Sequence, residues 1–171
     1  MHIFKRDILN NKIYSIRVFL KVTSVFIIDK ISSKMAEVDA AVNEVLVKMW
    51  KRKARWFIAK GEDNYARFVL EAEGPRTDTF EELRAAVEPI KSQSRFIGMD
   101  YEWTAADGRK ISKTVVIAYV PDDCESKPEK MAYSSGLDNF KGKMSKPIND
   151  ARTVNSFEDL TAENIQSWFK E

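Results

Sequence analysis

Histidine and cysteine are almost absent from this chain of 171 residues, which contains one of each. A single cysteine, Cys124, cannot form an internal disulfide, so the sequence suits a reducing compartment such as the cytoplasm. The single histidine, His2, lies near the start, before the segment that is predicted to fold. A histidine-based triad and a histidine metal cluster are therefore excluded from that segment, and we expect neither a metal site nor a cofactor.

Glycine is also scarce, and the positions of the six glycines exclude the common nucleotide-binding loops. They never form the closely spaced phosphate loop of a dinucleotide site. The segment from Gly136 to Gly142 and Lys143 resembles a nucleotide-binding loop, but its spacing is one residue too long. Met144 also stands where a hydroxyl group would bind magnesium. Because every common catalytic site lacks a part, we expect that the protein is not an enzyme.

Neither sign of charge dominates the chain, which has 28 basic and 26 acidic residues and a net charge of +2. The balance differs along the sequence. Residues 1–34 hold seven basic and two acidic residues (net +5), which leaves 21 basic and 24 acidic residues (net −3) in residues 35–171. A slightly acidic body does not attract nucleic acid through bulk charge, so we expect no nucleic-acid partner.

No apolar run is long enough to cross a bilayer. The run over residues 18–28 contains Lys21 and is far shorter than the ~20 residues that a spanning helix needs. Residues 1–34 are interpreted as a basic N-terminal extension, either a flexible tail or the product of a misassigned start site; a basic targeting or membrane-surface helix is the alternative. The composition changes at Met35, so we place one folded domain at residues 35–171.

Hydrophobic spacing predicts helices that alternate with a hairpin-rich sheet. Thr79 and Glu82 have the spacing of a capping box, and Asp107-Gly108 is typical of a hairpin turn. The predicted helices cover residues 37–50, a segment after Thr79, residues 129–143, and a final segment that carries Ile165, Trp168 and Phe169. The predicted strands lie at residues 56–58, 65–73, 95–104, 114–120 and 151–154. This order indicates a compact α/β layered domain.

Two stretches in this order resemble a known family. Residues 107–121 are DGRKISKTVVIAYVP, in which a basic residue precedes a central strand that closes in an aromatic-x-Pro element. Residues 127–135 are KPEKMAYSS, which contains a Lys-Met-x-Tyr-Ser-Ser segment at the start of a long helix. Together they resemble the actin-depolymerising factor (ADF) homology domain of the ADF/cofilin family, over residues 35–171. The resemblance implies an α/β ADF-homology fold, a central five-stranded mixed sheet sandwiched between two pairs of helices.

The same resemblance implies a cytoplasmic, monomeric protein of the actin cytoskeleton. Such a protein binds monomeric and filamentous actin and promotes filament severing and depolymerisation. It places Lys130, Met131 and Ser134 in contact with actin in both states. A cation, a flexible apolar side chain and a hydroxyl group on one helix face suit a protein groove with an acidic rim. By spacing alone, the alternative is that Met131 is a core residue and Lys130 is merely solvated, whereas Tyr133 is expected in the core with a bonded hydroxyl group.

Two further basic groups have an implied role. In the resemblance, Arg109, Lys110 and Lys113 belong to the filament-binding face that contacts a second actin subunit, although spacing alone favours a simple solvated hairpin. The cluster Lys51, Arg52 and Lys53 follows the first helix and is similar to a phosphoinositide-binding site. The alternative for this cluster is that the cations only balance the helix dipole.

Other segments resemble a different branch of the same fold family. The residues at 95–97, 107–109 and 158–161 are similar to the glia maturation factor branch. That branch implies a protein that binds the actin-related-protein branch complex and removes filament branches. Leu137 also stands where the ADF/cofilin family usually has a basic residue, so the two functions remain alternatives.

Overall fold

A computed structural model of the chain describes residues 36–105 and 107–169. The two interpretations of residues 1–34 lie outside this range. The helices are α1 (Ala40–Trp50), α2 (Phe80–Val87), α3 (Lys127–Gly142) and α4 (Ala162–Ser167), with one 3₁₀ turn at Glu88–Ile90. The strands are β1 (Glu37–Val38), β2 (Ala54–Glu62), β3 (Arg67–Pro75), β4 (Arg95–Thr104), β5 (Lys110–Tyr119) and β6 (Asp150–Val154). Among the described residues, no helix is long and apolar enough to span a membrane.

The strands form one mixed sheet in the order β1-β3-β2-β4-β5-β6. The central pairs β3/β2, β2/β4 and β4/β5 are antiparallel, whereas the two outer pairs, β1/β3 and β5/β6, are parallel. The antiparallel pair β4/β5 is a hairpin with unbroken register from Arg95 opposite Tyr119 to Thr104 opposite Lys110. The turn and the first half of β5 carry the basic residues Arg109, Lys110 and Lys113.

The sheet has six strands, so the prediction of five was wrong by one short edge strand. Residues 37 and 38 were expected to begin the first helix, but Asp39 caps that helix by accepting a hydrogen bond from the Ala41 amide at 2.9 Å. Because this N-cap makes the helix begin at Ala40, the two residues before Asp39 are extended and pair with β3. The Glu37 amide donates to the carbonyl of Ala66 at 2.9 Å.

Each face of the sheet packs against two helices, which explains the alternation along β5. Val116 and Ala118 face α1 and α3, whereas Val115 and Ile117 face α2 and α4. The first face is largely aromatic. It contains Phe57, Phe68, Phe96, Tyr133 and Phe140. The two pairs of helices that the resemblance implied are therefore present, with one pair on each side of the sheet.

Helix α3 is held on its face by a small number of large side chains. Of its 16 residues, two are fully buried, Tyr133 and Phe140. The Phe140 ring stacks on Phe96 with 4.2 Å between centroids, and the Tyr133 ring packs on Phe68 and Phe96 at 5.3 and 4.8 Å. Since the two residues are seven positions apart, they lie on one stripe of the helix. The other sides of α3 remain at the surface.

Candidate functional site

The start of α3 is built by ordinary helix-capping residues. Ser126 is the N-cap, and its hydroxyl group accepts a hydrogen bond from the Glu129 amide at 3.3 Å. Pro128 occupies the first turn, where its missing amide hydrogen is not needed. The helix therefore begins two residues earlier than the predicted residue 129. This start places Lys130 and Met131 in the first turns of the helix.

Lys130, Met131 and Ser134 lie at the surface of α3, as the prediction required of a binding site. The side chain of Met131 is 65% exposed, so the alternative that it belongs to the core is wrong. Lys130 is half-buried, and its ammonium group donates to the carbonyl of Asp122 at 3.0 Å. Ser134 is exposed, and its hydroxyl group makes a long contact of 3.4 Å with the Met131 carbonyl. The surface thus combines an apolar side chain with a cation and a hydroxyl group.

The opposite side of the helix confirms the expectation for Tyr133. Its ring is buried, and its hydroxyl oxygen accepts a hydrogen bond from the Gly61 amide at 2.6 Å. Burial raises the pKa of Tyr133 far above its ordinary value, against the opposing effect of the Gly61 hydrogen bond and the Arg95 charge. Tyr133 therefore stays neutral and contributes to packing.

The β4–β5 hairpin carries Arg109, Lys110 and Lys113 in different environments. Arg109 is exposed, and its guanidinium group pairs with Asp107 of the same turn at 2.6 Å. The backbone and side-chain hydrogen bonds from Arg109 lower the pKa of Asp107, which keeps this pair ionised. Lys110 is exposed at the start of β5, and Lys113 is half-buried opposite Tyr101. Because side chains alternate along a strand, these two lysines project from opposite faces of the hairpin.

The basic cluster after α1 is also divided by the structure. Trp50 ends the helix and is 49% exposed, and Lys51 is the C-cap residue. Arg52 has a left-handed backbone with a φ of 56°, and its side chain forms an ion pair with Glu102. Lys51 and Lys53 are exposed at the surface. All three side chains are thus exposed, and Arg52 differs from the two lysines in its ion pair with Glu102.

Glu102 is the centre of an ion-pair network that the sequence analysis missed. Its carboxylate pairs with Arg55 at 2.8 Å and with both Arg52 and Arg76. Arg76 also pairs with Asp100 on the same strand. Partial burial by itself raises the pKa of Glu102, but hydrogen bonds from Arg55 and Arg52 and the nearby charges outweigh it and lower this pKa to about 2. The network joins the end of α1, strand β2 and the segment after β3 to the part of β4 near the hairpin turn.

Glu102→Gln is expected to destabilise the fold by about 1 kcal/mol at neutral pH. A pKa lowered from 4.5 to about 2 corresponds to at most ~3.4 kcal/mol. Solvent screening of a side chain that is 30% exposed reduces this value to about a third. Since the folded-state pKa is lowered, the stabilisation is complete above the unfolded-state pKa and is lost as the pH falls towards about 2.

Urea unfolding of the wild type and Glu102→Gln between neutral and acidic pH measures this contribution. The two stability curves should converge as the pH falls, and a constant separation would contradict the assignment. The matched control is Glu73→Gln, because Glu73 forms an exposed ion pair with Lys48 at 2.8 Å. That variant should change stability by no more than about 0.5 kcal/mol.

Within residues 36–105 and 107–169, no three acidic, histidine or cysteine side chains are grouped as metal ligands. Cys124 is buried, with its sulfur 3.8 Å from the Ser94 hydroxyl oxygen. The predicted site residues at α3, the hairpin and the end of α1 are mainly apolar or cationic, although the Ser134 hydroxyl group and the Asp107 carboxylate are exposed beside them. Such surfaces are suited to binding an acidic partner.

Three comparisons with known proteins agree with this architecture. The family model of cofilin/tropomyosin-type actin-binding proteins matches residues 32–170. Actin-depolymerizing factor 1 of Arabidopsis thaliana is 31% identical over 91 residues, which are 53% of this chain and 63% of that protein. The matched region thus spans less than two thirds of that relative.

Two solved structures show the same fold at low sequence identity. The crystal structure of Streptomyces griseoflavus cofilin has a TM-score of 0.66 at 19% identity, over 77% of this chain and 95% of that one. The solution structure of glia maturation factor from Caenorhabditis elegans has a TM-score of 0.61 at 18% identity, over 78% and 95%. These matches confirm the fold class that the sequence predicted.

Proposed function

The chain belongs to the family of cofilin/tropomyosin-type actin-binding proteins, and on this basis we propose that it binds monomeric and filamentous actin. The observation that carries the proposal is the exposed Met131 beside Lys130 and Ser134 at the start of α3. Covering an exposed methionine with a hydrophobic cleft is favourable for binding, and a neighbouring lysine orients the chain on an acidic rim. The activity is assigned to residues 35–171, and it is binding rather than catalysis.

Filament severing and depolymerisation would follow from binding to filaments. The α3 surface occupies one actin subunit, and the hairpin reaches a second subunit that only a filament provides. A bound protein shifts the filament towards another twist only if it binds that twist more tightly. Boundaries between occupied and bare segments are then the points at which the filament breaks. The name of the Arabidopsis thaliana relative, an actin-depolymerizing factor, supports depolymerisation as the proposed outcome.

A second candidate function is removal of filament branches through the actin-related-protein branch complex. The observation in its favour is Leu137, which stands on α3 where a basic residue is usual in the ADF/cofilin family. Leu137 is uncharged, is partly buried and packs against the core between α3 and the sheet. This position therefore offers no cation to actin. The similarity in fold to the glia maturation factor structure is consistent with this alternative.

Cosedimentation with unbranched actin filaments separates the two functions. We expect the protein to pellet with filaments and to increase the monomer pool, whether residues 1–171 or residues 35–171 are used. A protein that remains in the supernatant but dissociates branched networks would overturn the first proposal and support the second. The number of filament ends in the same samples distinguishes severing, which creates ends, from simple sequestration, which does not.

Phosphoinositides are a further proposed ligand. The protein itself is proposed to act in the cytoplasm, at the actin cytoskeleton. Lys51, Arg52 and Lys53 are all exposed, and anionic headgroups attract such cations. Arg52 is committed to Glu102, so it is expected to contribute less. Vesicle cosedimentation of Lys51→Ala and Lys53→Ala variants tests this role.

A further inference from the structure

Glu129 makes contacts that differ from those of its neighbours on α3. One carboxylate oxygen accepts a hydrogen bond from the backbone amide of Ser94 at 2.5 Å. The other accepts from the hydroxyl group of Tyr65 at 3.4 Å. Ser94 is fully buried and directly precedes β4. A single side chain therefore links the first turn of α3 to the start of the central strand and to the segment before β3.

The position of Glu129 in the helix determines which side of α3 faces the sheet. Glu129 and Tyr133 are four residues apart and lie on the same face, where both accept hydrogen bonds from backbone amides. Successive residues of an α-helix are ~100° apart, so Met131 lies ~200° from Glu129, on the outer side. Holding residue 129 against β4 thus directs residue 131 into solvent, where it is 65% exposed.

The far end of α3 is held by other groups. Asn43 of α1 accepts a hydrogen bond from the Ser145 amide at 2.7 Å and donates to the carbonyl of Lys143 at 3.3 Å. Phe140 packs into the aromatic core nearby. These contacts fix the end of the helix but lie beyond the turns that carry the proposed binding residues. Besides the Ser126 cap and the hydrogen bond from Lys130 to Asp122, the first turns are held by Glu129 and Tyr133, whose hydrogen bonds reach the sheet side of the helix.

We propose that Glu129 is a positioning residue for the proposed actin-binding surface, acting through the orientation of Met131 and Lys130. The inference rests on the proposed function and adds a residue that does not itself touch actin. The required chemistry is a hydrogen-bond acceptor for the buried Ser94 amide, because a buried donor without a partner is costly. Glutamine keeps that acceptor, whereas alanine removes it and lets the first turn move away from β4.

A double-mutant cycle on actin-monomer binding tests this role. Glu129→Ala should weaken binding about threefold, and Glu129→Gln should stay within about twofold of the wild type. In a chain that already carries Met131→Ala, adding Glu129→Ala should weaken binding less than it does alone, because the side chain that Glu129 orients is then missing. Thermal unfolding should instead show independent effects, since the exposed Met131 side chain adds nothing to the core. Glu163→Ala, an exposed glutamate on α4, is the matched control.

Amide hydrogen exchange over residues 129–135 provides a readout that needs no actin. Glu129→Ala should exchange faster there than the wild type, and Glu129→Gln should not. If no form of the protein binds actin, the proposed function fails, and this exchange pattern still decides whether Glu129 orients the helix. If Met131→Ala weakens binding but Glu129→Ala does not, or if their effects add fully, the positioning role is overturned while the proposed function stands.

Discussion

Replacing Lys130 and Met131 together with alanine should weaken binding to actin monomers and to filaments by at least about tenfold, or ~1.4 kcal/mol. The reason is that one exposed surface of α3 is proposed to meet the same actin cleft in both states. Burying the exposed methionine side chain in such a cleft contributes favourable binding free energy, and truncation to alanine removes that contribution. Titration of labelled actin monomers and filament cosedimentation measure the two affinities.

The fold should tolerate this double substitution. Met131 is largely exposed, and the ammonium group of Lys130 bonds to a single carbonyl, that of Asp122. We therefore expect a stability change of no more than about 0.5 kcal/mol per site. Trp50→Ala is the matched control, because Trp50 is the other large apolar side chain found exposed among the described residues. An unchanged monomer affinity in the folded double variant would refute the assignment of this surface.

Local sequence patterns predicted most elements because each depends on residues that are close together. The third predicted strand, residues 95–104, coincides with β4. The capping box is also confirmed, since the amide of Thr79 donates to the Glu82 carboxylate at 2.5 Å. The edge strand β1 was missed because two residues carry no periodicity. Its pairing depends on the Asp39 cap and on β3, which lies about 30 residues further along the chain.

The candidate site shows the same division between local and distant information. The spacing of Lys130, Met131 and Ser134 did not decide whether Met131 faces the core or solvent. That choice is made by contacts from Glu129 and Tyr133 to backbone amides 35 and 72 residues away in sequence. The ion pairs of Glu102 likewise join residues up to 50 positions apart. Contacts of this range leave no pattern in a short window, so only the structure reveals them.

Replacing Arg109, Lys110 and Lys113 with alanine should lower filament affinity about five- to tenfold while monomer affinity stays within about threefold. The hairpin is proposed to contact a second actin subunit, which a monomer lacks. An exposed ion pair with actin is worth ~0.2–1 kcal/mol, so loss of one strong pair, with small contributions from the other two residues, gives the expected decrease. The residual filament binding should depend less on salt, because fewer screened charge pairs remain. Lys91→Ala, an exposed lysine outside the hairpin, is the matched control.

The single variants sharpen this test, because Lys110 and Lys113 project from opposite faces of the hairpin. A flat contact with one subunit can use only one of these faces, so one lysine should account for most of the loss. Arg109 should contribute little, since Asp107 already neutralises it. Equal losses for monomer and filament would place the hairpin in the monomer contact instead. No loss in either would show that the hairpin takes no part in actin binding and would refute its assignment to the filament contact.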